Sequence, residues 1–211
     1  MSSPGYDFWL FDLDGTVVDV DPSYPREVVA AVGDRLGREF TDSQAETLWY
    51  GVGGAREALL DSVGVDPEAF WDAFHSVEDP AARARATYVY DDAERVVPAL
   101  DGPTGLVTHC QPFLTNPILD MLDIRDWFDA VVCCTDETGW KPDPAPVEDV
   151  MADLGVADDR EGVLVGDDPA DVGAAWNAGL DAAHVRRVDP GARGQCVLGD
   201  HRVDRLDELR L

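Results

Sequence analysis

Short apolar runs alternate with amphipathic segments along the second half of the chain. The apolar runs, which predict buried strands, lie at 104–109, 128–134, 162–167 and 181–185. The amphipathic segments between them predict helices near 112–122, 144–154 and 169–178. Because strands that alternate with helices form βαβ units, this pattern predicts an α/β fold with a parallel sheet and helices on both of its faces.

A further apolar run, residues 6–12, stands apart from the others but needs the same sheet to bury it. The interval 20–91 that follows shows no strand pattern. Its helical patterns lie at 22–37, 42–51, 54–64 and 66–77, and 81–88 continues them. We therefore predict an α/β core formed by residues 1–19 and 92–211, with a helical domain of residues 20–91 inserted after the first strand.

The chain is strongly acidic, with 43 Asp and Glu residues against 16 Lys and Arg and a formal net charge of −27. Its apolar content of 45% is that of an ordinary globular protein, so the charge does not indicate disorder. The acids are spread along the whole sequence, and Lys141 is the one lysine. Such a surface repels itself in dilute salt, whereas at molar salt the screening length falls to about 3 Å. The composition predicts a halophilic protein of a salt-filled cytoplasm.

Membrane, secretory and zinc-binding signatures are missing from the sequence. It has no run of eighteen apolar residues and no basic leader followed by an apolar stretch. No Cys-x-x-Cys spacing occurs among the four cysteines. His75, His184 and His201 have no partners at ligand spacing and are predicted to be exposed or half-buried. We expect neither a membrane nor a nucleic-acid partner, although an acidic, salt-adapted surface is only weak evidence on the second point. Nothing here predicts the oligomeric state.

Polar residues follow several of the predicted strands. In an open parallel sheet, ligands bind outside the carboxyl ends of the strands. Asp12 and Asp14 close the first strand, and Thr108 ends the second. The polar residues at the later strand ends and loops are Lys141, Asp167, Asp168 and Asp171. An Asp-x-Asp pair is common in an acidic chain and recurs at 19–21, so a solvated loop tip is the alternative interpretation of the first pair.

Four of these segments occur together in an order that is typical of one family. They read DLDGT at 12–16, VTH at 107–109, KPDP at 141–144 and GDDPADVGAAWNAG at 166–179. With these motifs the chain resembles the haloacid dehalogenase superfamily, and in particular its phosphoglycolate-phosphatase-like members. The resemblance implies a Rossmann-like, doubly wound parallel sheet core with an inserted helical cap domain. One departure is His109, which stands where Asn or Ser is frequent in this family.

The residue types at the end of the first strand suit the hydrolysis of a phosphate ester. A carboxylate at Asp12 can attack phosphorus and form an aspartyl-phosphate, which divides the reaction into two steps. Asp14 can protonate the departing alkoxide and then deprotonate the water that hydrolyses the intermediate. Gly15 lets the chain turn sharply out of the strand, and the Thr16 hydroxyl is predicted to hold that turn.

Several carboxylates and a phosphate can share one site only with a cation between them. We predict Mg²⁺, held by Asp12, Asp167 and the backbone carbonyl of Asp14. Asp171 is predicted to orient either Lys141 or a water of the metal site. Asp168 has three interpretations: a metal ligand, an orienting residue, or the cap of the helix that follows it.

Contacts to the substrate are expected from both parts of the chain. Thr108 and Lys141, with His109 beside them, are predicted to bind the phosphoryl group. Recognition of the rest of the substrate falls to the cap, where residues 48–60 join two helices through glycines. In this segment Arg56 offers a planar fork for a carboxylate, unless it is simply a solvated helix residue. The expected substrate is a small phosphate ester, of the phosphoglycolate or sugar-phosphate type that the resemblance implies.

Other classes of protein fit these residues less well. A P-loop nucleotidase needs Gly-Lys followed by Ser or Thr, whereas Lys141 precedes a proline. A dehalogenase would lack the second aspartate, Asp14, because a halide leaving group needs no proton. Phosphonate hydrolases and phosphomutases of the superfamily use a lysine in the cap, and this cap has none. The alternative from a different class is a non-catalytic binding or scaffold protein that keeps the fold, yet here all four motifs are filled.

Overall fold

The computed structural model describes residues 5–51, 54–156, 160–187 and 197–209. The strands in these ranges are β1 (Phe8–Phe11), β2 (Val18–Val20), β3 (Thr87–Val89), β4 (Thr104–Thr108), β5 (Ala130–Cys133), β6 (Gly162–Gly166), β7 (Asp181–Val185) and β8 (His201–Val203). Six of them form one sheet in the order β5-β4-β1-β6-β7-β8, and every neighbouring pair is parallel. The five strands predicted for this sheet are all present.

The helices of the described residues are α1 (Tyr24–Leu36), α2 (Asp42–Tyr50), α3 (Ala55–Ser62), α4 (Pro67–Val77), α5 (Pro80–Ala86), α6 (Asp91–Val96), α7 (Pro112–Met121), α8 (Ala145–Leu154) and α9 (Pro169–Asn177). The last three match the helices predicted between the core strands. None of these helices has both the length and the apolar character needed to cross a bilayer.

Strand β1 is buried on both sides because helices cover both faces of the sheet. Phe8 and Leu10 belong to one hydrophobic cluster, and Trp9 and Phe11 belong to another. Successive side chains of a strand point to opposite faces, so each cluster fills one side of the sheet. A strand in this position has no face toward solvent, which explains why its sequence is continuously apolar instead of alternating.

Helices α1 to α5 have a hydrophobic cluster of their own. Its members include Val29, Leu48, Leu60 and Phe70, and none of these four side chains is more than 1% exposed. Local sequence sets several helix ends, as at Asp66, whose carboxylate accepts a hydrogen bond of 3.0 Å from the Ala69 N–H at the start of α4. The predicted fold class, an α/β sheet core with an inserted helical cap, is confirmed.

A two-stranded antiparallel ribbon lies at the base of the cap. It pairs β2 with β3, so that Val18 faces Val89 and Val20 faces Thr87. The prediction that no strand occurs in the interval 20–91, and that the helical pattern runs on to residue 88, is therefore wrong. Strands of three residues are too short for a periodicity to show, and the same reason explains why the edge strand β8 was not predicted. The predicted domain boundary after residue 19 falls within β2, and the one after residue 91 falls at the start of α6, two residues beyond β3.

Candidate active site

Asp12 lies at the end of the central strand β1, between β4 and β6. The chain continues from β1 to β4 and β5 on one side and then crosses to β6 on the other, so β1 marks the point where the strand order reverses. Crevices at such points bind ligands in open α/β sheets. The Asp12 side chain is 10% exposed, and its backbone N–H donates a hydrogen bond of 2.9 Å to the Val165 carbonyl. The sheet thus fixes this carboxylate at the floor of a cleft.

A tight turn follows Asp12 and directs Asp14 into the same cleft. Gly15 has a φ of +79°, and its N–H donates a hydrogen bond of 2.8 Å to the Val18 carbonyl. A Cβ atom at this position would lie 2.5 Å from Asp167 Oδ2, so both the turn and the close approach require glycine. The expectation that the Thr16 hydroxyl holds the turn is wrong, because that hydroxyl is buried without a hydrogen-bond partner among the described residues.

Lys141 is buried at the centre of the cleft floor. Its Nζ donates hydrogen bonds to Asp171 Oδ1 (2.6 Å), Asp12 Oδ1 (2.7 Å) and the Val107 carbonyl (2.9 Å). Burial opposes its positive charge, but the two aspartates outweigh that effect and raise the pKa of Lys141 above its usual value. The lysine is therefore charged in this site at any physiological pH.

Asp168 and Asp171 form a reciprocal capping arrangement at the start of α9. Asp168 Oδ1 accepts a hydrogen bond of 2.8 Å from the Ala170 N–H, and Asp171 Oδ2 accepts one of 2.9 Å from the Asp168 N–H. The other oxygen of Asp171 accepts the bond from Lys141. Asp168 thus has the geometry of a helix cap, and Asp171 has the geometry of a residue that orients Lys141.

Three carboxylates meet beside the lysine. Asp12, Asp167 and Asp171 place oxygen atoms within 4.8 Å of one another. Burial, together with the charges of Asp171 and Asp167, raises the pKa of Asp12 well above its usual value, against the opposing effect of Lys141. A further cation would relieve this repulsion, and a set made only of oxygen ligands suits a hard ion such as Mg²⁺. Both oxygens of Asp171 already accept hydrogen bonds, so this carboxylate is less available to the ion than that of Asp12.

Thr108 and His109 form one wall of the cleft at the end of β4. The Thr108 side chain is buried, and its hydroxyl oxygen accepts a hydrogen bond of 3.0 Å from the Cys110 N–H. His109 is exposed to solvent, and its ring contacts Trp140 edge to face with 5.5 Å between centroids. The enclosing walls of the cleft and the charge of Lys141 lower the pKa of His109, so the imidazole is neutral near pH 7.

The cap closes the other side of the cleft, which has a volume of about 220 Å³. Arg56 lines it, and the guanidinium donates hydrogen bonds to the carbonyls of Leu48 (3.1 Å) and Trp49 (2.8 Å) at the end of α2. Arg56 is half-buried, so it is not the solvated helix residue of the alternative interpretation. Residues 52 and 53 of the predicted specificity segment 48–60 lie outside the described ranges.

Arg83 of α5 is a cap residue in the cleft that the sequence reasoning missed. Its side chain is only 3% exposed and pairs through Nη2 with Asp14 Oδ1. The segment that contains it has arginines at both 83 and 85, and Arg85 is exposed. No signal in the sequence distinguishes the arginine that faces the core from the one that faces solvent.

The prediction that His184 is exposed or half-buried is wrong. This side chain in β7 is 6% exposed, and its Nε2 lies 3.0 Å from the carbonyl oxygen of Asp167. The signal was available, because the residue falls within a run that itself predicts a buried strand. His75 and His201 are exposed, as predicted.

The chain belongs to the haloacid dehalogenase-like hydrolase family, whose model it matches over residues 7–179. It is 31% identical over 201 residues to the phosphoglycolate phosphatase of Pseudomonas putida, a match that covers 85% of this chain and 72% of the relative. It is 28% identical over 219 residues to the N-acetylmuramic acid 6-phosphate phosphatase of Pseudomonas aeruginosa, with 95% and 93% covered. The protein is accordingly a phosphatase of this family.

Solved structures share the fold over almost the whole chain. The HAD phosphatase of Thermococcus onnurineus aligns with a TM-score of 0.69 at 24% identity, covering 97% of this chain and 96% of that one. A haloacid dehalogenase-like family protein of Streptococcus pneumoniae aligns with a TM-score of 0.75 at 16% identity, covering 98% of both chains. At these identities the likeness concerns the fold.

Proposed function

We propose that the protein is a Mg²⁺-dependent phosphomonoester hydrolase that acts on a small phosphate ester through an aspartyl-phosphate intermediate. The observation that carries this proposal is the Asp12 carboxylate, held by Lys141 at the floor of the cleft with Asp14 two residues further on. A carboxylate with one oxygen fixed in this way presents the other to a phosphorus atom above it.

The two aspartates have complementary roles in the proposed reaction. A carboxylate oxygen of Asp12 forms a bond to phosphorus as the bond from phosphorus to the ester oxygen breaks, and Asp14 supplies the proton that the departing alkoxide takes up. In the second step, Asp14 removes a proton from water, whose oxygen attacks phosphorus and releases phosphate from Asp12. The 37% exposure of the Asp14 side chain is consistent with exchange of this proton with solvent.

Lys141, Thr108 and His109 are the proposed contacts to the phosphoryl group. In the arrangement described above, all three hydrogens of Lys141 Nζ are already donated, so a contact with a phosphoryl oxygen requires the exchange of one of those bonds. Thr108 and His109 face the same space, which is consistent with a phosphoryl site above Asp12.

Asp12, Asp167 and the backbone carbonyl of Asp14 are the proposed Mg²⁺ ligands. The close packing of Gly15 against the Asp167 carboxylate supports this set, because it brings the backbone of the turn to the acid that would share the ion. When bound, Mg²⁺ supplies positive charge that offsets the charge of the phosphoryl group. Asp171 keeps the role of orienting Lys141, and Asp168 caps α9.

A screen of phosphate release over a panel of phosphate esters tests the proposed function. In molar KCl we expect turnover of an aryl phosphate and of at least one small metabolite ester. Activity should disappear when a chelator removes divalent cations and return when Mg²⁺ is added. Turnover that survives complete removal of the metal, or the absence of any phosphate release, would contradict the proposal. The organic parts named in the two relatives, glycolate and N-acetylmuramic acid, make carboxylate-bearing esters the first compounds to try.

We further propose that the protein functions in a salt-rich cytoplasm. Lowering KCl from molar to tens of millimolar should lower the melting temperature, because the net charge of −27 is then poorly screened. Millimolar Mg²⁺ should recover part of the loss by binding among the surface acids. Thermal unfolding followed by circular dichroism over a KCl series measures this dependence, and a melting temperature that does not change with salt would contradict the halophilic interpretation.

A further inference from the structure

Arg83 connects the cap to the acid that is proposed to serve the leaving group. It lies on α5, which packs against α7 of the core. Its guanidinium reaches across the cleft to Asp14, and the side chain is almost entirely buried. Arg83 is thus the cation paired with the acid that is proposed to protonate the ester oxygen.

Aromatic rings hold the Arg83 guanidinium in place. Its central carbon lies 4.9 Å from the centroid of the Trp49 ring and 5.6 Å from that of Tyr24. Rings at these distances stabilise a cation through their π-electrons and leave its N–H groups available. The position of the charge is therefore set by cap residues as well as by Asp14.

Two of the Arg83 nitrogens lack acceptors. Nε and Nη1 are buried and make no hydrogen bond with any of the described residues. Buried donors are rarely left without a partner, so such a group in a ligand cleft indicates a partner that comes with the ligand. Arg56, by contrast, donates two hydrogen bonds to backbone carbonyls at the end of α2.

The acidic lining of the cleft makes the positive charge of Arg83 important for binding an anionic group. Its acidic lining residues are Asp12, Asp14, Asp19, Glu78, Asp167, Asp168 and Asp171. An anionic group on a substrate would be repelled by such a lining unless a cation stood beside it. On the cap side, Arg83 and Arg56 are the arginines that line the described cleft.

We infer that Arg83 binds a carboxylate on the leaving group of the substrate and thereby selects phosphate esters of short hydroxy acids. This inference rests on the proposed function. With phosphorus above Asp12 and the ester oxygen beside Asp14, a carboxylate one carbon from that oxygen comes within reach of the Arg83 guanidinium. Charge-assisted hydrogen bonds to a carboxylate are the strong interactions for which arginine is suited.

The test compares two substrates that differ only at the acidic end, 2-phosphoglycolate and 2-hydroxyethyl phosphate. The wild-type enzyme should prefer 2-phosphoglycolate in kcat/KM. Arg83→Gln should lower kcat/KM for 2-phosphoglycolate by about tenfold to a hundredfold more than for 2-hydroxyethyl phosphate. The selective loss in Arg83→Lys should lie between that of the wild type and that of Arg83→Gln. Arg85→Gln removes the same charge from the exposed face of the same helix and should behave as the wild type does.

Equal losses for both substrates in Arg83→Gln would overturn the inference, since Arg83 would then act only through Asp14 or cap stability. A selective loss in Arg56→Gln and not in Arg83→Gln would also overturn it and assign the carboxylate to Arg56. If Arg83→Gln does not fold, the inference is tested with Arg83→Lys and with the substrate preference of the wild type. The absence of a wild-type preference for 2-phosphoglycolate over 2-hydroxyethyl phosphate would then overturn the inference. Release of phosphate from an aryl phosphate by the wild type shows separately that the proposed function holds.

Discussion

Asp12→Asn is expected to reduce phosphate release by several powers of ten while the protein remains folded. The amide oxygen of asparagine can still accept a hydrogen bond from Lys141, so the packing of the cleft floor should persist. The same amide is too weak a nucleophile to attack phosphorus, which removes the first chemical step. Steady-state release of phosphate from an aryl phosphate, with circular dichroism as the check on folding, measures the effect.

Asp153→Asn provides a matched control for this substitution. It makes the same chemical change at an exposed position of α8, away from the cleft, and should keep wild-type rates. Trapping of a phosphorylated wild-type protein, absent in Asp12→Asn, would locate the intermediate on this residue. Substantial turnover by a purified Asp12→Asn protein would show that the nucleophile lies elsewhere.

Lys141→Met is expected to lower turnover about a hundredfold to a thousandfold, the usual loss when a preorganised electrostatic group is removed. It should also lower the free energy of unfolding, by about 3–5 kcal/mol for a buried charge left without its partner. Methionine fills a similar volume but leaves Asp12 and Asp171, which share the lysine, without their cation. The loss of turnover should appear in kinetic measurements made with Mg²⁺, and the loss of stability in denaturation measurements made without added Mg²⁺.

The pH dependence of the Lys141→Met protein gives a sharper test. Burial and the neighbouring acids already raise the pKa of Asp12, and Lys141 opposes that rise. Without Lys141 the pKa should rise further, so activity should increase with pH as Asp12 ionises. Stability should change in the opposite direction, because an acid with a raised pKa in the folded state destabilises the fold as it loses its proton.

Arg160→Met is the matched control for the loss of a positive charge. Arg160 pairs with Asp7 at 3.0 Å on the surface, and its side chain is 50% exposed. Such pairs contribute little to stability, so this protein should resemble the wild type. If Lys141→Met were equally active and stable at neutral pH, the lysine would have no part in holding Asp12 ready for reaction.

The sequence was sufficient to predict five of the six strands of the sheet and the polar residues that follow several of them. A parallel strand covered on both faces is continuously apolar, so β1, β4 and β6 were visible as short runs. The polar residues that follow them converge because the carboxyl ends of parallel strands share one edge of a sheet. Asp12, Lys141 and Asp171, which are far apart in sequence, are indeed joined by hydrogen bonds. Their roles in catalysis stay predictions.

Only the tertiary structure decided which cap residues face the cleft. Arg83 and Arg85 both lie on the short helix α5. Their surroundings differ because one side of α5 packs against α7. The ribbon of β2 and β3 and the edge strand β8 likewise depend on pairing with a segment elsewhere in the chain, and β2, β3 and β8 have only three residues each. Local periodicity carries no information about such contacts, since each segment acquires its environment from a partner elsewhere in the chain.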